Sequence, residues 1–510
     1  MMAVWLIIVL FGGGILAWAS ELADARAPRA IALLSLLLAL LLVVLVCATG
    51  SPQPDSPGGQ WFVLEKWQWI PRFAIHLQIG VDGLSLLLLL LTVFLGLVAV
   101  AAAWDEIHQR CGFFYFNLLW TLAGVAGVFI ALDLFLFFFF WEVMLIPMYL
   151  IIAIWGHEDR AYAAMKFFIF TQVAGLILLI AILALAWFHM EQIGRFSFDY
   201  FELGNLILEE PVQMLVMLGF FVGFATKLPS FPLHSWLPDA HSQAPTAGSV
   251  LLAGLLLKTG AYGLIRFTVP LFPEAAASFA PVAMALAVIS ILYCAKVAFA
   301  QTDLKRLIAY TSISHMGFVT LGVFAWNIQG LQGAFMTMMA HGLSAAALFM
   351  IAGGLQHRFH TRDIYIMGGL WAVLPGMAAM ALFFSIAALG MPGLGNFVGE
   401  FLSLIGAFQA NRLLTVLAAL GLVLAAVYSL WVIQRVFHGP VSPAMGHEPG
   451  PATIPAITPA TKAQVSDLSR VEWIAYAAMA AGLVWMGMHP QSFLAFSEPV
   501  LNFLLQVESQ

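Results

Sequence analysis

The chain has 510 residues, 62% of them hydrophobic and only 9% charged, with a formal net charge of −6. Its mean hydropathy of +0.97 excludes an ordinary soluble domain and leaves an all-α polytopic membrane protein. The net charge is small for this length, and nothing in the sequence calls for a nucleic-acid partner.

Cys47, Cys111 and Cys294 stand alone, with no C-x-x-C pair, so they supply neither an iron–sulfur ligand set nor a disulfide framework. The sequence has no G-x-G-x-x-G, Walker or H-E-x-x-H motif. No nucleotide, metal or redox centre is therefore expected in this chain.

About fourteen apolar runs reach the roughly 20 residues needed to cross a bilayer. They lie near 1–20, 28–48, 83–104, 112–131, 133–155, 165–188, 212–228, 247–268, 280–300, 306–325, 329–355, 371–405 (interrupted), 413–434 and 471–489. The first has no basic segment ahead of it and no small-residue cleavage signal, so it reads as a retained helix. The first three are Leu, Val and Ala with few polar groups and look like scaffold. Between the second and third, 51–80 reads as an outside loop whose WFVLEKWQWIPRF favours the membrane interface.

The basic residues orient the chain. With the N-terminus outside, twelve of the twenty, among them Arg26, Arg160, Lys305, Arg358 and Arg435, fall in loops facing the cytoplasm. Five, Lys66, Arg72, Arg195, Arg266 and Arg412, fall on the other side, and Lys227, Lys258 and Lys296 lie within the runs. The bias favours both termini outside the cytoplasm.

The fifth run, LDLFLFFFFWEVMLIPMYL, holds Glu142 near its midpoint among aromatics. A membrane glutamate can serve as a protonated structural hydrogen-bond donor. It can also be the titrating partner of a buried lysine, in which case moving its charge releases the lysine's proton.

That lysine is supplied by 219–260, GFFVGFATKLPSFPLHSWLPDAHSQAPTAGSVLLAGLLLKTG. Lys227 lies at the end of a half-helix that Pro229 and Pro232 must break, where the backbone dipole favours a cation. Lys258 sits at the centre of the next run, too deep to reach the surface. Charge at such depth costs several kcal/mol or more and marks function by default. His234, Asp239 and His241 lie in the connection and read as a capped, hydrogen-bonded turn, since no fourth metal ligand is nearby.

Lys296 lies within about a turn of the surface and reads as snorkelling. His315 and His341, each about halfway along its run, share an inferred depth and fit a proton relay, because imidazole both accepts and donates near neutral pH. The twelfth run, SIAALGMPGLGNFVGEFLSLIG, is interrupted at Pro392, Gly393 and Gly395, and Glu400 follows about a turn after the restart. There the helix dipole favours an anion. Interruptions in runs seven and twelve, five apart, predict two inverted five-helix repeats with their site at the broken segments. The domains are then scaffold 1–110, a first repeat 111–270, a second repeat 271–437, and 438–510 as an exposed loop (440–463), a last helix and a tail.

TKLPSFPLHSWLPDAHSQAPTAGSVLLAGLLLKTGAYGLIRF, AFAQTDLKRLIAYTSISHMGFV, AHGLSAAALF, HTRD and LGMPGLGNFVGEF together resemble the antiporter-like subunits of respiratory complex I, over most of the chain. The resemblance implies that Glu142 pairs with Lys227, that Lys258 is the central relay lysine, that His315 and His341 are relay histidines and that Glu400 is the terminal group. It also implies a proton-translocating role driven by quinone reduction elsewhere. FMN, iron–sulfur clusters and quinone would then sit in partner subunits, with neighbouring antiporter-like subunits and phospholipids as contacts. Cation/proton antiporter complexes and membrane-bound hydrogenases use similar subunits and share the lysines. A purely structural spacer is the third reading; it has no reason to carry the cost of a row of buried titratable groups.

Overall fold

The computed structural model describes residues 2–24, 26–50, 60–438 and 465–507. The expected exposed loop at 440–463 lies outside the described residues, as does 51–59. Helices α1 (Met2–Ser20) and α2 (Ala27–Thr49) lead into a two-stranded antiparallel hairpin, β1 (Val63–Ile70) and β2 (Ile75–Val81). The hairpin is the one departure from an all-helical reading: WFVLEKWQWIPRF pairs as a strand instead of lying as an irregular interfacial loop, its Trp and Val residues suiting a half-covered pleated surface.

The remaining helices are α3 (Gly83–Ala103), α4 (Cys111–Ile130), α5 (Leu134–Trp155), α6 (Arg160–Ile193), α7 (Glu210–Lys227), α8 (Trp236–Gln243), α9 (Thr246–Leu271), α10 (Pro273–Phe299), α11 (Leu304–Phe324), α12 (Ile328–Phe359), α13 (Pro375–Ala388), α14 (Gly395–Ala410), α15 (Arg412–Ile433), α16 (Arg470–Met488) and α17 (Gln491–Val507). Their starts are written locally. The Asp82, Asp303, Asn327 and Asn411 side chains accept backbone N–H groups at the first turns of α3, α11, α12 and α15, and Ser469 with Glu472 forms a capping box at α16.

Among the described residues, twelve helices are long and apolar enough to cross a membrane, against the fourteen runs counted from sequence. Of the other two runs, 212–228 folds as one 18-residue helix and 371–405 as two shorter ones. Run 212–228 gives α7, which stops at Lys227, followed by turn residues and the eight-residue α8. Run 371–405 gives α13 and α14, separated by a turn in which Gly390 and Gly393 take φ of +82° and +94°, values that glycine adopts without the Cβ penalty.

Burial sorts the centre from the rim. Within an apolar 18-residue stretch of each helix, the share of buried residues is 100% in α9 and 94% in α11 and α12, but only 33% in α1 and α2 and 39% in α6. Glycines let the central helices approach closely. A Cβ at Gly333 of α12 would meet the Ser403 backbone nitrogen of α14 at 2.1 Å, and one at Gly399 would meet that of Thr337 at 2.4 Å. Small residues at such contacts are how helices pack where no hydrophobic effect operates between them.

Candidate functional site

The site is built on α9, α11, α12 and α14. Helix α9 has two π turns, Leu252–Leu256 and Leu264–Thr268, on either side of Lys258. In the first, the Leu257 amide bonds to the Leu252 carbonyl, one residue further back than in an α-helix. The Ala253 carbonyl accepts the Lys258 ammonium. The same ammonium lies 2.9 Å from Nδ1 of His341.

Further along lie a second imidazole and a carboxylate. The His341 and His315 rings are 5.8 Å apart between centroids, and His315 Nδ1 is 2.6 Å from Glu400 Oε1. Lys258, His341, His315 and Glu400 are each at most 3% exposed. Their spatial order differs from their chain order: His341 stands against the lysine and His315 against the carboxylate. Beside Glu400, whose Oε2 has no hydrogen-bond partner, lies Gly390.

Glu142 and Lys227 lie apart from this file. The Lys227 ammonium is buried and without a hydrogen-bond partner, and it faces the rings of Trp141 at 5.1 Å and Phe167 at 5.9 Å. Glu142, next to Trp141, is turned toward Gly175 of α6, and its Oε1 also lacks a partner. The two form no ion pair within 4.0 Å among the described residues. The aromatic face of Trp141 attracts the cation.

The residues of the 234–241 connection point in different directions. His234 stacks on Phe231, and His241 lies flat on Phe349 with centroids 4.1 Å apart and an interplanar angle of 7°. Asp239 bridges Lys166 of α6 at 2.5 Å and Arg306 of α11 at 2.6 Å. Among the described residues no three His, Cys, Asp or Glu side chains are grouped to hold a metal ion. Lys296 is exposed on the last turn of α10.

Sequence reasoning missed five groups. Tyr428 of α15 hydrogen-bonds His315 Nε2 at 2.9 Å; a phenol in the apolar VLAAVYSLWV was the available signal. Lys305, counted as a loop cation, is fully buried and donates to the Ala244 carbonyl at 3.1 Å; the flanking Asp303 and Arg306 disguised it. Arg266, also counted as a loop residue, is buried in a π turn and paired with Asp82. Asp82 itself caps α3. On the loop between α5 and α6, His157 lies 3.4 Å from the Lys305 ammonium. Burial, then the charges of Lys305 and Arg362, push its imidazole down to about 3.

A polytopic helical bundle with a file of buried basic, imidazole and acidic side chains across its most enclosed helices defines the antiporter-like class of membrane proteins. Residues 131–426 match the model of the NADH:quinone oxidoreductase/Mrp antiporter transmembrane family. NADH-quinone oxidoreductase subunit M of Pseudomonas aeruginosa is 51% identical over 98% of this chain and 97% of its own length. Its counterpart in Escherichia coli K12 is 48% identical over 99% and 98%. A chain of respiratory complex I from Thermus thermophilus superposes with a TM-score of 0.85 at 32% identity, covering 100% of this chain and 99% of that one. The Mrp complex of Dietzia sp. shares the fold, with a TM-score of 0.80 at 20% identity over 100% of this chain and 52% of that one. The chain belongs to the NADH:quinone oxidoreductase/Mrp antiporter family of multi-pass membrane subunits, within the M-subunit branch of the NADH-quinone oxidoreductases.

Proposed function

We propose that this chain translocates protons as a membrane subunit of NADH:quinone oxidoreductase, using Glu142, Lys227, Lys258, His341, His315 and Glu400 as its relay. The observation that carries the reading is the pair of contacts Lys258–His341 and His315–Glu400, with the two imidazoles 5.8 Å apart between centroids. Each neighbour in that file is both a donor and an acceptor in one of its protonation states. Two buried bases 2.9 Å apart do not both hold an extra proton at low cost, so charge arriving at Lys258 displaces a proton toward His315 and Glu400.

Redox chemistry belongs to partner subunits that carry FMN, iron–sulfur clusters and quinone. Quinone reduction there changes the field at Glu142. The proton affinity of Lys227, held over Trp141 without a direct counter-ion, responds, and its proton passes through water to Lys258. One charge crossing 100 mV requires about 2.3 kcal/mol, and one unit of pKa change corresponds to about 1.4 kcal/mol. Shifts of a few units at buried groups therefore suffice.

In this reading the chain lies in a bacterial inner membrane with both termini periplasmic. Segments 111–270 and 271–437 act as inverted halves broken at Lys227 and before Glu400. Neighbouring antiporter-like subunits and phospholipids cover its apolar rim. The identity of 48–51% to oxidoreductase subunits favours this assembly over a stand-alone cation/proton exchanger.

The test is proton uptake by inverted membrane vesicles fuelled with NADH. Lys227→Ala and Lys258→Ala should each reduce the protons moved per NADH oxidised; undiminished pumping in both variants would sink the relay. Flavin and NADH oxidation that fail to co-purify with the tagged chain would move it to an ion exchanger.

A further inference from the structure

The link between α8 and α9, residues 242–246, is buried throughout. Helix α8 ends at Gln243 and α9 begins at Thr246, with Ala244 and Pro245 extended between them. A helix end leaves its last carbonyls and first amides without partners of their own, and where they are buried other groups must supply them. Here the partners come from four separate segments. The Ser242 carbonyl accepts from Arg362, just after α12, and the Gln243 carbonyl accepts from the His157 amide at 2.9 Å. The Ala244 carbonyl accepts from the Lys305 ammonium at 3.1 Å. The Thr246 amide donates to both oxygens of Glu106, on the loop between α3 and α4, at 3.0 and 3.2 Å.

Lys305 is the costly member of this set. It is fully buried, and among the described residues it makes no ion pair within 4.0 Å. The acids around it are engaged elsewhere, Glu106 on the Thr246 amide and Asp303 on Arg362 at 3.0 Å. As the second residue of α11 it also stands at the end where the helix dipole opposes a cation.

What it ties together accounts for the cost. His315 lies ten residues along α11 from Lys305, about 15 Å, and Lys258 lies twelve along α9 from Thr246, about 18 Å at 1.5 Å per residue. With their starts joined, the two helices bring lysine and imidazole to similar depth, where His341 faces both. A slip of α9 by one residue would shift Lys258 by about 1.5 Å and turn it by about 100°. That would break the 2.9 Å contact with His341.

We propose that Lys305 and Glu106 are positioning residues, which fix where α9 begins relative to α11 and α3 and so hold Lys258 against His341. Lys305 contributes a fixed charge and a donor, and no proton passes through it. Arginine can take its place in that role, because a guanidinium donates to a carbonyl and does not give up its proton. The effect on pumping rests on the relay reading above; the tie itself does not.

The experiment uses the assembled complex in inverted membrane vesicles, with protons moved per NADH and hydrogen–deuterium exchange of amides 246–258 read on the same preparations. Lys305→Met keeps the length of the side chain and removes the donor. It should raise exchange by about tenfold and lower the ratio by about half or more. Lys305→Arg should keep both near the parent's values. An arginine variant with slow exchange that pumps as poorly as Lys305→Met overturns the proposal, because the lysine then carries a proton. Parent-like exchange and ratio in Lys305→Met overturn it as well. If Lys305→Met does not reach the membrane, Glu106→Ala is the second variant, since it unties only the Thr246 amide. It should loosen the same amides and lower the ratio, and parent-like values overturn the proposal. If exchange responds as expected yet Lys258→Ala pumps normally, the tie stands and the relay falls. If Lys258→Ala abolishes pumping while Lys305→Met changes neither exchange nor ratio, the relay stands and the positioning role falls.

Discussion

The Lys258 ammonium and His341 Nδ1 are 2.9 Å apart inside two of the most enclosed helices of the chain. A hydrogen bond to a charged group contributes about 1.5–3 kcal/mol, or roughly 10 to 100-fold in a rate that depends on it. His341→Ala should therefore slow proton transfer by about that factor with the lysine still in place. His341→Gln, which keeps an acceptor beside the ammonium but does not titrate, should retain the fold and lose the transfer. Proton uptake at matched NADH oxidation rates separates the two; full pumping in His341→Gln would remove the imidazole from the path.

The α12–α14 contact sets the distance from His341 to Glu400. A methyl at Gly333 would press on the backbone nitrogen of Ser403, which cannot rotate away. Gly333→Ala and Gly399→Ala should each cost about 1–3 kcal/mol, the usual range for overpacking, and should lower the ratio of protons to electrons as well as the melting temperature. Loss of stability with the ratio intact would separate this contact from the relay.

Arg266 and Asp82 form a buried pair whose cation also lies over the Trp61 and Tyr262 rings. Removing one partner of such a pair leaves the other charge stranded and costs about 3–5 kcal/mol. Arg266→Ala should lower the amount of chain in the membrane, and Arg266→Ala with Asp82→Asn should recover part of it. Immunoblots of membranes under identical expression provide the readout.

His157 predicts the sign of an acid effect. Its imidazole is lowered from 6.5 to about 3 by burial and by neighbouring cations, so between those values the unfolded chain binds the proton and the folded chain does not. Its contribution is fully present above about pH 6.5 and is lost as pH falls toward 3. Thermal midpoints of the detergent-solubilised complex should be level from pH 8 to 7 and decline below 6.5. His157→Gln should flatten that part of the curve. An unchanged slope would assign the acid loss to other groups.

The class of fold, and which residues make up the candidate site, could be read from residue type and depth. Lys227, Lys258, His315, His341 and Glu400 are conspicuous because titratable groups in apolar runs are costly, and that cost is visible without coordinates. Lys305 and Arg266 were misplaced because a cation near the end of an apolar run reads the same whether it faces water or a buried partner. Their partners, Ala244 and Asp82, lie 61 and 184 residues away.

Sequence by itself therefore determined a many-helix membrane protein with a titratable group at mid-depth in helix after helix, since helix formation and the expense of buried charge are local matters. Tertiary structure decided which of those groups touch. His341 stands beside Lys258, His315 beside Glu400, Tyr428 completes the imidazole's second bond, and the Lys227 ammonium lies over the Trp141 face. Those choices depend on which faces of α9, α11, α12, α14 and α15 meet, and that is settled by glycine contacts and side-chain volumes between segments far apart in the chain.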